Sequence, residues 1–388
     1  MNENELIDNF KKIFNESPQY YVDTGGRYEI IGNHTDHNHG LCLVANSSLR
    51  IKAVVKKNEN MVRVQSEGYP YFEFALSDLK EDSKESRTCS LLKGVLFKLK
   101  EDGYKIGGFD CFISSEIPDG SGVSSSAAIE SLYGYMLSYL YNDLKIEPIV
   151  VAKIGQYSEN NYFHKPSGLL DQIGTSFNSF NFIDFKNIDS PLITTLPFKL
   201  PLQLYLICSL GDHSNLTDLY AQIPYSMNEV ARLLDNKTYL RDVEDTKDIF
   251  DRIENLDISD EIKRKAKHFF IENQNVLDAK KAIEHDDVEA FLSAIRASQE
   301  SSRINLENTF VKEEYEGSPQ NIIDDAKEFL NDEKGAIRIH GGGFKGTVIA
   351  FIKNEYIDEF DNYLKGKYPS NRYYKVNISS KAFNYKKY

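Results

Sequence analysis

The sequence predicts two domains, a mixed α/β domain followed by an α+β domain. Three observations predict it. The chain has 388 residues, more than one typical core accommodates. Its first half opens on strand-like runs and then alternates helix and strand, the order of a mixed α/β layer. Its second half becomes helical and charged after about residue 216, and closes on two short strands around a glycine loop.

Taken in order, residues 3 to 15 read as a short amphipathic helix with Leu6, Ile7, Phe10 and Phe14 on one side. A strand then ends in the polar run Gly32-Asn33-His34-Thr35-Asp36-His37-Asn38-His39-Gly40. Irregular polar stretches between apolar segments tend to lie at functional surfaces. His34, His37 and His39 with Asp36 suit zinc by residue type, and a solvated loop is a second reading. A small polar ligand is the reading preferred here. Strand-like runs follow over 41–56 and 62–75, then a charged loop from Asp78 to Arg87 and a helix beginning near Leu91.

The centre of the chain is 118–127, Pro-Asp-Gly-Ser-Gly-Val-Ser-Ser-Ser-Ala. A strand (Phe109–Ser114) precedes it. A periodic run from Ala127 follows, with Leu132, Tyr133, Met136, Leu137 and Leu140 at helical spacing. Strand, glycine loop and helix start together make an anion site. Glycine lets the backbone approach a phosphate, and the first helical N–H groups point at it. The serines are candidate helix caps, and one hydroxyl can reach a metal. No lysine stands where a Walker loop requires one.

A second helix follows Pro148 and runs to Tyr162. Pro166-Ser167-Gly168 breaks it, and Leu169-Leu170-Asp171-Gln172 comes next. Asp171 is either a helix-start charge favoured by the dipole or a carboxylate facing something specific. Phe180–Phe185 reads as a strand, Pro191–Lys199 as a connector and Leu202–Leu210 as an apolar strand. Helical stretches lie near 216–234, 261–283, 286–302 and 319–331. Strands at 336–340 and 347–352 flank Gly341-Gly342-Gly343-Phe344-Lys345-Gly346. A helix over 355–366 and a last strand over 373–378 end the pattern.

Net charge is −13 with both signs scattered and no basic run, which argues against a nucleic-acid partner. Cys42, Cys89, Cys111 and Cys208 lie far apart and read as buried thiols of a reducing compartment. A polar, acidic start and the lack of a long apolar run predict a cytoplasmic protein without membrane attachment.

Three stretches jointly resemble the signature motifs of the GHMP kinases: Gly26-Arg27 through Gly40, Pro118 through Ala127, and Gly341 through Gly346. The first is similar to the galactokinase signature, and the resemblance covers nearly the whole chain. Glu159 stands twelve positions before Asp171, as in galactokinases. Ser214-Asn215 followed by Tyr225 resembles the segment that carries their sugar-contacting tyrosine. Lys265-Ala266-Lys267-His268 with Glu272-Asn273 resembles a further helix of that family.

The resemblance implies residues 1–195 as an N-terminal GHMP kinase domain. It would hold the sugar and ATP loops and a left-handed βαβ unit, like domain 2 of ribosomal protein S5. Residues 196–388 would form a ferredoxin-like C-terminal domain with extra helices. The implied activity is ATP-dependent transfer of a γ-phosphoryl group to the anomeric C1 hydroxyl of galactose. Asp171 would take or orient the hydroxyl proton, with Arg27 beside it. Gly120, Ser121, Gly122, Val123, Ser124, Ser125 and Ser126 would cradle ATP. Ser126 and Glu159 would hold Mg2+. Asn33, His34, Asp36 and Tyr225 would bind the sugar. Partners are the sugar and ATP, and the chain would be a monomer or weak homodimer.

The sugar-reading set departs from the family pattern. Asn33 replaces a glutamate, His37 a tyrosine, His340 a threonine and Lys345 a glycine. An amide offers one donor and one acceptor where a carboxylate only accepts. A related sugar such as N-acetylgalactosamine is therefore an alternative substrate. Another GHMP activity, such as mevalonate or homoserine phosphorylation, and a non-catalytic sugar sensor are further alternatives.

Overall fold

The structure is a computed structural model. It describes residues 1–118, 122–165, 167–210, 216–312 and 314–388, with the side chain of Thr217 left aside. Gly120 and Ser121 of the phosphate loop lie outside the described residues, as do Ser214 and Asn215.

In chain order the first half comprises α1 (Glu3–Phe14), β1 (Tyr20–Ile31), β2 (Leu41–Asn58), β3 (Met61–Ser66), β4 (Phe72–Ala75), α2 (Arg87–Glu101) and β5 (Gly108–Ser115). It continues with α3 (Ser125–Tyr141), α4 (Pro148–Asn161), α5 (Leu170–Ser176), β6 (Phe180–Asp184) and β7 (Leu192–Leu196). The helix starts follow their sequence. Asn2 and Glu5 close a capping box on α1, and α4 opens on Pro148, whose missing N–H costs nothing there.

The second half comprises β8 (Leu202–Cys208), α6 (Thr217–Asp235), α7 (Ile249–Glu254), α8 (Asp260–Glu284), α9 (Val288–Ser301), α10 (Pro319–Leu330), β9 (Gly335–His340), β10 (Thr347–Lys353), α11 (Ile357–Lys367) and β11 (Tyr373–Val376). A final strand, β12, spans Phe383–Lys387.

The strands form two sheets. The first runs β12-β1-β2-β5-β3-β4, with β6 on β2 and β7 on β6. The length of β2 allows this branching. Residues 41–45 pair with β6, and residues 51–58 pair with β5. All pairs in this sheet are antiparallel except β3 with β5, which are joined through β4 and α2. The second sheet runs β11-β8-β10-β9, entirely antiparallel. A large apolar core joins the inner face of the first sheet, including Val22, Ile30, Val55 and Phe109, to helices α2 and α3. It continues to Phe291 and Ile295 of α9 and Phe351 of β10.

Two elements differ from the sequence reading. The presumed connector 191–199 contains β7. Pro191 and Pro197 bracket it, and prolines argue against a strand, but an edge strand with one partner tolerates them. The strand at 373–376 is not the last. The chain continues to β12, whose polar sequence hides it, and β12 pairs with β1, so the carboxyl end returns to the first sheet. Cys42, Cys89 and Cys111 are buried free thiols, and Cys208 is half-buried. No helix of the described residues is long and apolar enough to cross a membrane.

Candidate active site

Arg27 sits on β1, just past a register shift between Gly25 and Arg27. The irregularity brings the strand against the phosphate loop, where Arg27 N donates to the Val123 carbonyl at 3.1 Å. Gly26 is required there, because a Cβ would come within 2.5 Å of the Val123 carbonyl oxygen. The helix α5 lies close on the other side, where a Cβ on Gly174 would stand 2.7 Å from Arg27 Cβ.

Arg27 Nε donates to Asp171 Oδ1 at 2.9 Å, and Nη1 donates to the Gly122 carbonyl at 2.6 Å. The Ser124 hydroxyl donates to Asp171 Oδ2. Ser124 adopts a left-handed φ of 56° and makes no side-chain cap on α3, so its hydroxyl serves the aspartate instead of the helix. The Arg27 guanidinium is buried, but the Asp171 side chain keeps 37% of its surface. Burial alone pushes the Asp171 carboxyl up. The Arg27 charge, the Ser124 hydroxyl and Lys165 outweigh it and hold the carboxyl below the usual aspartate range. The arrangement is an ionised carboxylate, open on one side, fixed by an arginine at the end of a glycine–serine loop.

Glu159, on α4, is almost fully buried. Its Oε1 faces Lys165 Nζ at 3.1 Å and Arg87 Nη2 at 3.4 Å, and its Oε2 accepts from Gln172 Nε2 at 3.0 Å. The same Gln172 nitrogen donates to Glu130 Oε2 at 3.1 Å. Burial, then the charge of Glu159, pushes the Glu130 carboxyl well up. Ser126 is half-buried in the first turn of α3, and Ser125 is exposed. Glu159 is thus a hard oxygen donor that already gathers two cations on one oxygen, which suits a magnesium ion shared with phosphate and water. Lys165 and Arg87 keep about half of their surface, and both must yield Oε1 to such an ion.

The loop after β1 is held from the second half of the chain. Glu272 Oε1, on α8, accepts the backbone N–H groups of Gly32 and Asn33 at 2.9 and 3.1 Å, and the Ser298 hydroxyl at 2.6 Å. His268 Nε2 donates to the Asn33 carbonyl at 2.8 Å. Leu41 N donates to Asn273 Oδ1 at 2.8 Å. The α8 residues that match the family pattern therefore shape this loop. Burial opposes the Glu272 charge, but His268, Arg338 and the hydrogen bonds from Ser298 and Asn275 hold its carboxyl below the usual range.

Within the loop, His34 Nε2 lies 2.9 Å from the Gly342 carbonyl, so Nε2 carries the proton and Nδ1 is an acceptor. That Nδ1 is buried and, among the described residues, unpaired. Burial, then His37, lowers the His34 pKa to about 4, so the ring is neutral. Asp36 Oδ1 stands 3.7 Å from His37 Nε2. A Cβ on Gly168 would meet Asp36 Oδ2 at 2.8 Å, so the glycine lets the segment leading to Asp171 close onto Asp36. Among the described residues no three His, Cys, Asp or Glu side chains stand together as a metal cage.

Two expected sugar contacts are not in place. Asn33 is fully buried. Its Nδ2 donates to Glu29 Oε1 at 2.9 Å and to the Gly341 carbonyl at 2.7 Å. Its Oδ1 accepts from Asn308 Nδ2 at 2.8 Å and from Ser302 Oγ at 3.4 Å. The amide is used up inside the protein and has nothing left for a sugar. Tyr225 is 66% exposed. The tyrosine of α6 that faces the loop is Tyr220, whose ring centroid lies 6.3 Å from His34 and whose hydroxyl donates to the Gly343 carbonyl at 3.1 Å. Five positions rotate a helix by about 140°, so the two tyrosines cannot share a face. That periodicity was legible beforehand. The roles of Lys165 and Gln172 around Glu159 had no sequence signal beyond their closeness to Asp171, and that of Arg87 had none. A groove of about 990 Å³ lined by Lys265, Arg303, Phe310 and Phe344, among others, contains none of Arg27, Asp36 or Asp171.

The GHMP kinases N terminal domain family matches residues 90–179, and the galactokinase galactose-binding signature matches residues 8–57. The galactokinase of Lactobacillus helveticus is 30% identical over 372 residues, covering 93% of this chain and 92% of that protein. That of Streptococcus thermophilus is 29% identical over 381 residues, covering 95% and 94%. Among solved structures, Lactococcus lactis galactokinase complexed with galactose superposes with a TM-score of 0.82 at 23% identity, covering 97% of this chain and 98% of that one. Methanococcus jannaschii mevalonate kinase superposes with a TM-score of 0.66 at 15% identity, over 93% and 98%. Fold and site together define a GHMP kinase, an ATP-dependent phosphotransferase with two α/β parts. Within that superfamily, the chain belongs to the galactokinase family.

Proposed function

We propose that this protein phosphorylates the anomeric C1 hydroxyl of galactose with ATP. The observation that carries the reading is the Arg27–Asp171–Ser124 cluster with Asp36 packed against Gly168, three residues before Asp171. It puts an ionised carboxylate next to acceptor groups suited to hydroxyls. The match of residues 8–57 to a galactose-binding signature supports the choice of sugar. The path β8–helices–β9–β10–α11–β11, with β8 and β10 central, supports a ferredoxin-like second domain.

Asp171 accepts or orients the proton of the attacking hydroxyl. Its lowered pKa makes it a weak base, so its first contribution is to aim the hydroxyl. Arg27 fixes the carboxylate and offers its remaining N–H groups to the transferring phosphoryl group. Gly122, Val123 and Ser124 supply backbone to the triphosphate, together with Gly120, Ser121, Ser125 and Ser126. Ser126 and Glu159 would hold magnesium, which, when bound, neutralises the β- and γ-phosphate charge. His34 accepts a sugar hydroxyl at Nδ1, and Asp36 accepts others through its carboxylate.

The case for an N-acetylated sugar rested on a free amide at Asn33, and the internal bonds of Asn33 remove that support. Incubating the protein with Mg2+–ATP and a panel of hexoses tests the proposal. Galactose 1-phosphate as the main product is expected. Transfer to a different sugar, or none to any, overturns it.

A further inference from the structure

His340 stands at the end of β9, at the mouth of the third glycine loop, and its ring is buried. Nε2 lies 3.1 Å from the backbone nitrogen of Glu29. A backbone amide only donates, so Nε2 is an acceptor and a neutral ring must carry its proton on Nδ1. Burial, then the charges of Arg27 and Arg338, keeps the ring neutral by holding its pKa well below the ordinary value. Nδ1 is buried and, among the described residues, has no hydrogen-bond partner. A buried donor left unpaired is costly, and such groups are rare enough to need a reason.

The surroundings of Nδ1 supply one. Gly122 of the phosphate loop and Gly341 of the third glycine loop both have left-handed φ, 66° and 71°. A Cβ on Gly122 would stand 3.7 Å from His340 Nδ1. A Cβ on Gly341 would stand 3.8 Å from Arg27 Nη2 and 3.8 Å from the Gly122 carbonyl oxygen. Arg27 spends Nε on Asp171 and Nη1 on Gly122, and among the described residues Nη2 makes no hydrogen bond. Two N–H donors, one charged and one neutral, therefore border the same pair of glycines. Convergent donors around side-chain-free backbone suit a phosphate oxygen.

We propose that His340 Nδ1–H donates, alongside Arg27 Nη2, to an oxygen of the terminal phosphate of ATP. The phosphate loop shifts at Gly122 to admit it. His340 then lets the protein tell a nucleoside triphosphate from a diphosphate without adding a second buried cation beside Arg27. The inference rests on the reading that ATP phosphates lie on the loop at Gly122.

Two substitutions separate the two ring nitrogens. In His340→Gln the amide oxygen reaches the place of Nε2, so Glu29 keeps its acceptor while the donor at Nδ1 is lost. In His340→Asn the amide nitrogen takes the place of Nδ1, and the acceptor for Glu29 is lost. Kd values for Mg2+–β,γ-imido-ATP and Mg2+–ADP are measured by calorimetry on the full chain, with Tm alongside. His340→Gln should weaken the imido-ATP complex about tenfold, the scale of one hydrogen bond to a charged group, and leave ADP within about twofold. His340→Asn should lower Tm and keep the wild-type ratio of the two Kd values. If wild type binds imido-ATP and His340→Gln moves both nucleotides equally, or neither, the role of His340 is overturned and the ATP reading stands. If wild type does not bind imido-ATP, the ATP reading falls and this inference with it. Should His340→Gln fail to fold, the Asn variant decides: an unchanged ratio supports the proposal, and a tenfold rise in it overturns it.

Discussion

The corner around Asp171 and the loop from Gly32 to Gly40 are neighbours, yet they are held by different means. The Asp171 corner is made within the first half of the chain. One charge pair, Arg27–Asp171, and one hydroxyl, Ser124, fix a carboxylate that stays partly open. The loop is held from outside. Glu272, His268 and Asn273 of α8 bind its backbone, and the Gly341 and Gly342 carbonyls take its side-chain hydrogens. The first arrangement fixes the carboxylate proposed to aim the attacking hydroxyl. The second folds the loop around a buried polar network anchored on α8 and the third glycine loop. Chemistry and shape are therefore separable here by mutation.

The sharpest separation comes from Asp171→Asn. The amide is nearly isosteric but cannot take a proton, so turnover should fall about 100-fold or more, the usual scale of general acid–base help. Binding of β,γ-imido-ATP should change little, while the unfolding midpoint falls because the buried Arg27 guanidinium loses its charge partner. Steady-state rates beside calorimetry and urea unfolding check this. Turnover near that of wild type would take the chemistry out of the Asp171 corner.

Glu272→Ala attacks the other region. It strands two buried N–H groups and the Ser298 hydroxyl, and should cost about 3 kcal/mol of stability near neutral pH. The sign with pH follows from the lowered pKa of Glu272. Its contribution is present above the ordinary glutamate value and is lost as pH falls through the lower folded value. The gap between wild type and variant in urea unfolding should therefore narrow on acidification. The KM for sugar should rise more than the KM for ATP. An equal rise in both would mean that α8 supports the whole cleft and not the loop in particular.

The smallest effect tests which face of α6 meets the loop. Tyr225→Ala changes an exposed ring, and should shift stability by no more than about 0.5 kcal/mol and leave the sugar KM alone. Tyr220→Ala removes a ring packed edge-on against Phe344 and tilted over His34, and should raise the sugar KM. Titrating sugar against both variants at saturating ATP decides between them. A raised KM in Tyr225→Ala alone would return the contact to the tyrosine first matched by resemblance.

The parts of the Asp171 corner are short-range signals in the sequence. Gly26 and Arg27 share one strand, Ser124 ends a glycine loop before a helix, and Asp171 starts a helix after a break. The motifs also named residues whose side chains come together in the fold. The same patterns gave no sign that Asn33 is bonded within the protein or that Tyr220 of α6 lies beside His34, and they missed β7 and β12. Edge strands bury one flank at most, so they carry little periodicity.

What the sequence determined by itself was the alternation of elements, readable from spacing along one stretch at a time, and the family, readable from three motifs taken together. What only the tertiary structure decided was which polar groups remain open to a ligand. Asn33 has the composition of a sugar contact, but Gly341, 308 positions away, takes one of its hydrogens and Asn308 fills its oxygen. His340 looks like an ordinary replacement in a glycine loop until Glu29 claims one ring nitrogen and leaves the other unpaired. Hydrogen-bond capacity is spent by whichever partners packing brings near, and for these residues the partners lie in the other half of the chain.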